Sequence, residues 1–192
     1  MKVSIQAVVL QMAAAKKWGT DQAFKLDDLT VSMKHPSAMA ALLAGGQAVK
    51  SHFATLPTSW AELQTGKVKT VLTSYDVLGG RHSTLAMYNT EKWKNDNPKL
   101  YTCAWQSYRT AMKWINDDKK RGAELFHRFT KSKLKLEDVV GMLTTEGEIH
   151  YSLLPEKTME FAKFLHSIKG IKNMPASWKD YYWENNYNQS GS

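Results

Sequence analysis

The chain has 192 residues, a formal net charge of +8 and a pI near 9.4. This length predicts one domain or two small lobes, and the apolar and charged fractions are ordinary for a globular protein. The basic excess does not predict a nucleic-acid interface because it is spread along the chain. Residues 1–80 hold 8 Lys or Arg against 5 Asp or Glu, and residues 81–192 hold 18 against 13. A mild positive field suits an anionic small ligand equally well.

Alternating helix and strand patterns fill the first 75 residues. Apolar spacing, an N-cap at Ser4 and a stop at Gly19 predict a helix over residues 4–18. Period-two alternation and short apolar runs predict strands at 29–33, 48–55 and 68–74, with helices between them at 36–44 and 58–65. Such alternation predicts a mainly parallel sheet that binds its ligand outside the carboxyl ends of the strands. Those ends are His35, 52–55 and 74–76.

The character of the chain changes after Gly79 and Gly80. One further strand is predicted at 84–88, followed by amphipathic helices that begin near Pro98 and continue at 119–129, 136–143 and 155–168. The fold class predicted is α/β, with one small three-layer lobe that has a mainly parallel sheet and a mostly helical C-terminal part of a second lobe. The domains predicted are a complete lobe at 1–80, a helical part at 81–184 and a flexible tail at 185–192.

Motifs for catalysis or cofactor binding are missing from the sequence. There is no dinucleotide fingerprint, Walker motif or nucleophile elbow, and the single cysteine, Cys103, excludes an intramolecular disulfide. None of the six histidines pairs with another at metal-ligand spacing on one helix. No catalytic residue, metal ligand or cofactor is therefore predicted. Asp76, beside the expected cleft, is the one acid that stands out, and Ser4 is either an ordinary N-cap or an anion site.

The order of four segments resembles a known family. The segments are VSIQAVVLQMAAAKKWG, HPSAMAALLAGGQAVKSHFATLP, VLTSYDVLGGRHSTLAMYNTEKWKNDNP and AWQSYRTAMKWIND. Together they resemble the nitrate/sulfonate/taurine-type solute-binding proteins of ABC importers, and the resemblance covers residues 3–183. It implies two α/β lobes with a ligand cleft between them, of which this chain would lack the N-terminal part.

The resemblance also implies the ligand-binding residues. Ser4 and Gln6 match the helix start that faces the ligand in that family, and His52 and Phe53 match a strand end at the cleft. Asp76 belongs to a segment that matches a crossover between the lobes.

The same resemblance implies partners and a location. The expected ligand is small and anionic, or similar to a sulfonate, nitrate or taurine, and the expected protein partner is an ABC transporter permease rather than a nucleic acid. A binding protein of this kind is not an enzyme. A full-length member is expected to be periplasmic or membrane-associated, although no signal peptide is predicted here and no apolar run is long enough to span a membrane.

Two alternatives remain open at this point. The first is an enzyme, because the same broad family resembles the iron-dependent fungal pyrimidine synthases of thiamine biosynthesis, with His35, His52 and His82 as candidate ligands. The second is an interaction module that forms a homodimer through exposed helix faces, such as the face that carries Leu100 and Met112.

Overall fold

The computed structural model describes residues 4–46, 48–145 and 149–192, and they form two compact units. Unit 1 comprises residues 1–84 and 155–192, and unit 2 comprises residues 85–154. Helices make up the regular structure of both units. Their bounds are α1 (Ile5–Trp18), α2 (His35–Leu43), α3 (Thr58–Gln64), α4 (Ser74–Leu78), α5 (Glu91–Asp96), α6 (Pro98–Asp117), α7 (Lys119–Thr130), α8 (Leu136–Thr144) and α9 (Thr158–Ser167).

The first helix follows the prediction closely. The Ser4 side chain accepts a hydrogen bond from the Ala7 backbone N–H at 3.2 Å, which satisfies one of the free donors of the first turn. At the other end Gly19 has a φ of 100°, and its N–H donates to the Ala15 carbonyl. A residue with a side chain would be strained at this φ, so glycine ends the helix here.

The core of unit 1 lies between α1 and α4. Val8, Val9 and Met12 on α1 contact Val77 and Leu78 on α4 in one buried cluster. Six half-buried apolar side chains pack around that cluster: Ile5, Ala13, Phe53, Phe161, Phe164 and Leu165. The cluster therefore joins α1, the segment after α2, α4 and α9.

A second packed region of unit 1 surrounds the buried Trp178. The Tyr182 and Tyr187 rings meet its indole edge-on, with ring centroids 5.9 and 6.1 Å away. Gly191 lies so close to the indole that a Cβ there would stand 2.7 Å from Trp178 Cε2. Only glycine can make this approach without displacing the ring.

The chain leaves unit 1 after Thr84 and re-enters it at Pro155. Next to these points, two hydrogen bonds join Ser83 and Glu156. The Ser83 N–H donates to the Glu156 carbonyl at 2.9 Å, and the Glu156 N–H donates to Ser83 Oγ at 3.0 Å. The backbone segments that leave and re-enter unit 1 are therefore held side by side within this unit.

Unit 2 is built on α6, α7 and α8, with α7 and α8 packed most extensively against each other. Gly122 on α7 allows α6 to come close, because a Cβ there would lie 3.2 Å from Ile115 Cγ2. None of the residues of α6 is fully buried, although the helix is 20 residues long. Leu100 on this helix is exposed, and Trp105 and Met112 are half-buried.

The α/β fold class is wrong, because the described part of the chain contains helices and no strand or sheet. The segments predicted as strands at 29–33, 48–55, 68–74 and 84–88 are mostly irregular, and Ser74 begins α4. The alternating side chains that suggested a half-buried strand, such as Leu29 and Val31, lie exposed. Alternation places residues on one face, but a sheet also needs neighbouring strands that supply backbone hydrogen bonds.

The predicted helices at 4–18, 36–44, 58–65, 119–129, 136–143 and 155–168 are confirmed, with ends that differ by at most three residues. The predicted lobes at 1–80 and 81–184 stay predictions. In the segment predicted as a flexible tail, Ser192 bonds to Pro155, Lys157 and Thr158. Across the described ranges no helix is both long and apolar enough to cross a membrane.

Candidate functional site

Two histidines meet where α2 packs against α3 in unit 1. His35 is the first residue of α2, and His52 lies in the irregular segment that leads to α3. Their rings are tilted by 49° with centroids 5.0 Å apart. Glu62, on α3, contacts His52. The Glu62 side chain is 6% exposed and the His52 side chain is 10% exposed.

A chain of hydrogen bonds connects these groups, and we call the set His35, His52, Thr55 and Glu62 the histidine relay. His52 Nδ1 lies 2.6 Å from Glu62 Oε1. His35 Nδ1 lies 3.0 Å from His52 Nε2, and Thr55 Oγ1 lies 3.5 Å from His35 Nε2. The relay therefore runs from a buried carboxylate to an exposed hydroxyl.

The protonation pattern follows from the carboxylate. An ionised Glu62 only accepts hydrogen bonds, so His52 must carry its proton on Nδ1. His52 Nε2 is then an acceptor, and His35 Nδ1 donates to it. This leaves a lone pair on His35 Nε2, which faces the Thr55 hydroxyl. A proton taken up from outside would consequently bind at His35 Nε2.

The arrangement is similar to a nucleophile-activating relay but differs in its last distance. A hydroxyl and its base normally lie about 2.6–3.2 Å apart in such sites. Thr55 Oγ1 is 3.5 Å from His35 Nε2, so the hydroxyl makes at most a weak bond to the imidazole. The geometry supports a site that binds a ligand better than one that activates Thr55.

The structure places His52 and Phe53 in different roles. His52 is the centre of the relay, whereas the Phe53 ring packs against the hydrophobic cluster of unit 1. Phe53 thus anchors the backbone that carries His52. That both residues contact a ligand stays a prediction.

Ser4 and Gln6 lie in the first turn of α1, and Ser4 uses its hydroxyl to cap the helix. Ile5, between them, packs against the same hydrophobic cluster as Phe53. The ligand-facing role of both residues stays a prediction.

Asp76 caps α4. Its carboxylate accepts hydrogen bonds from the Thr73 hydroxyl and backbone N–H at 2.6 and 2.9 Å, and the Asp76 N–H donates to Thr73 Oγ1. These bonds, the side-chain bond first, lower the pKa of Asp76, since they favour the ionised form. The side chain is exposed, and its Oδ2 atom accepts both capping hydrogen bonds.

Sequence reasoning missed Glu62, and it included Thr55 only as part of the expected strand end at residues 52–55. One signal for Glu62 was present, because it is the only acidic residue between Asp28 and Asp76. A lone carboxylate on a helix that faces two histidines is a natural partner for an imidazole.

His82 occupies a different part of unit 1. It is buried between the edge-on rings of Tyr75 and Phe161, each with its centroid 5.6 Å away. Burial lowers the pKa of His82, and the Ser83 carbonyl and the Glu156 charge oppose this only in part. The candidate iron ligands of the enzyme hypothesis are thus divided, with His35 and His52 in the relay and His82 in this aromatic setting.

The lowered pKa of His82 predicts acid destabilisation. Because the folded chain holds the neutral form, the unfolded chain binds more protons below pH 6.5, the ordinary pKa of histidine. The free energy of unfolding should be steady above that pH and fall as the pH decreases from 6.5 towards the folded pKa. Urea unfolding followed by circular dichroism between pH 7.5 and 5 measures this. His82→Phe should reduce the slope and the exposed His166→Phe should not. An unchanged slope in His82→Phe would contradict the assignment.

The described residues contain no group of three or more His, Cys, Asp or Glu side chains arranged to hold a metal ion. His35 Nδ1 and His52 Nε2 face each other, but His52 Nδ1 is bonded to Glu62. The polar groups of the relay are thus arranged for hydrogen bonding.

The chain matches no protein-family model, no curated protein and no solved structure.

Proposed function

We propose that the chain binds a small anionic solute for an ABC importer and that the histidine relay is the ligand site. The observation that carries the proposal is the chain of hydrogen bonds from buried Glu62 through two imidazoles. It ends at His35 Nε2, which lies 3.5 Å from the exposed Thr55 hydroxyl. The order of the four segments from residue 3 to 183 supports the same function, and it includes His52 as a ligand-facing position. A sulfonate, nitrate or taurine-like compound is the class of ligand proposed.

The charge of the relay explains how an anion would bind. With one proton on each imidazole the relay carries the single negative charge of Glu62, which repels an anion. A proton on His35 Nε2 makes the relay neutral and turns this nitrogen into a donor. The Thr55 hydroxyl is then free to rotate and donate to the same ligand oxygen. Anion and proton would therefore bind together, and charge-assisted hydrogen bonds of this type are strong.

The surroundings favour an anion at longer range. Unit 1 has 14 Lys or Arg against 9 Asp or Glu, a net charge of +5. A field of this sign raises the local concentration of small anions and their rate of association. The permease of the importer is the protein partner proposed, and it would receive the loaded form.

Calorimetric titration of the full chain with methanesulfonate, nitrate and taurine tests the proposal. We expect binding of at least one of them. Loss of a hydrogen bond to a charged ligand typically costs tenfold or more in affinity, so His35→Phe should weaken binding by about that factor.

His166→Phe is the matched control, since His166 is exposed on α9 and distant in sequence from the relay. Its affinity should equal that of the unchanged protein. Absence of binding to all three anions, or equal affinity in the His35 and His166 variants, would contradict the proposal.

A further inference from the structure

The end of the α7–α8 hairpin carries exposed apolar side chains. Phe126 and Phe129, in the last turns of α7, are 47% and 75% exposed, and Leu136 at the start of α8 is 38% exposed. Ordinary protein surfaces expose apolar side chains singly, whereas three of them are exposed on this short segment. We call residues 126–136 the hairpin tip.

The hairpin tip is also strongly basic. Four exposed cations occur in it: Arg128, Lys131, Lys133 and Lys135. No Asp or Glu occurs between Glu124 and Glu137. Among the residues that the structure describes, the ion pair of this segment joins Lys135 to Glu137 at 3.5 Å. Both side chains are about three-quarters exposed, so the pair neutralises little of the charge.

Several hydrogen bonds hold the tip in shape. His127 Nε2 donates to the Leu134 carbonyl at 2.9 Å, and the Leu134 N–H donates to Ser132 Oγ at 3.2 Å. Lys131 ends α7 with a left-handed φ of 49°. The cations and the aromatic rings are thus presented together on an ordered turn rather than on a free segment.

We propose that the hairpin tip docks on an anionic phospholipid surface. Aromatic and aliphatic side chains bury themselves at the boundary of headgroups and acyl chains, while Lys and Arg attract acidic lipids. The Arg128 guanidinium already lies over the Phe129 ring, 5.7 Å from its centroid, so cation and ring can enter the interface together. A second copy of the chain is a poorer occupant, because it would bring four cations against four cations.

Co-sedimentation of the full chain with vesicles tests the proposal. Vesicles of phosphatidylcholine with phosphatidylserine should bind the chain, and vesicles of phosphatidylcholine alone should bind it at least tenfold more weakly. Binding should weaken as salt is raised from 0.1 to 0.5 M, because salt screens exposed charges. Added inorganic phosphate at millimolar concentration should not release the chain from the vesicles, because the apolar side chains also insert into the interface.

Two single substitutions and two matched controls separate the contributions. Phe129→Ala and Lys133→Glu should each weaken vesicle binding by about tenfold, which is the size expected for one buried ring or one reversed charge. Leu85→Ala and Lys99→Glu change an exposed apolar side chain and an exposed lysine of unit 2 outside the tip, and should leave binding unchanged. Circular dichroism verifies that all four variants fold.

Three outcomes would overturn the proposal. One is equal binding to both vesicle types, and another is equal binding by the tip variants and their controls. The third is binding of a single-stranded RNA 20-mer with no binding to acidic vesicles, which would assign the tip to nucleic acid.

Discussion

Replacement of Trp178 by alanine is expected to lower the free energy of unfolding by about 3–5 kcal/mol, the range for deleting a large buried aromatic side chain. The indole is buried among Tyr182, Tyr187 and Gly191, so its removal leaves a cavity that two edge-on rings cannot easily fill. Since domains are stable by only about 5–15 kcal/mol, this change alone should remove a large part of the stability.

Urea unfolding monitored by far-ultraviolet circular dichroism measures the effect without depending on tryptophan fluorescence. Trp18→Ala is the matched control, because Trp18 is partly exposed at the end of α1 and contacts the Lys17 and Lys25 ammonium groups. Its loss should cost about 1 kcal/mol or less. Equal shifts of the unfolding midpoint in the two variants would show that the ring cluster around Trp178 does not stabilise unit 1.

Glu62→Leu is expected to lower the free energy of unfolding by about 2 kcal/mol, since it leaves the buried His52 Nδ1–H without its acceptor. His52→Leu should have an effect of similar size, because it leaves the Glu62 carboxylate buried and unpaired. The double variant should be more stable than the sum of the single changes predicts, since it removes both polar groups together. A double-mutant cycle measured by urea unfolding gives the coupling energy directly.

The exposed pair Lys92 and Asp96, four residues apart on α5, provides the control cycle. Its bond is short, at 2.5 Å, but both side chains are mostly in water. We expect a coupling energy below about 0.5 kcal/mol there. If the His52–Glu62 coupling is equally small, the buried carboxylate does not hold the imidazole, and the protonation pattern proposed for the relay fails with it.

The helices of unit 1 could be predicted because their signals are local. Ser4 and Gly19 mark the two ends of α1, and the positions between them repeat with the helical period. The cap of α4 was equally readable, since Thr73 and Asp76 have the spacing of a capping box. Asp76 was singled out for its place beside the expected cleft, and its role as a ligand-binding residue stays a prediction.

The strands could not be judged from the sequence, because strand formation depends on a partner. Val31 and Met33 alternate with polar residues as strand residues do, yet they are exposed in the structure. The pattern records which side chains share a face. It does not record whether another segment lies within hydrogen-bonding distance, and this is decided by the tertiary fold.

The site was predicted only in part, because contacts between distant segments are likewise decided by the tertiary fold. His35 and His52 were expected to face one cleft because they lie at the ends of two predicted strands. The structure brings their rings together, though it does so where α2 packs against α3. Glu62 enters the relay from α3, ten residues after His52. No short-range pattern joins residues at this separation across an irregular segment.

The paired bonds between Ser83 and Glu156 have a consequence for the evolution of the chain. They fix the exit and the return of the backbone at one place on unit 1, so residues 85–154 form an insertion whose two ends are already adjacent. Segments with adjacent ends can be lengthened, shortened or exchanged without moving the host, because no distance in the host must change. The hairpin of α7 and α8 can therefore diversify independently of the histidine relay.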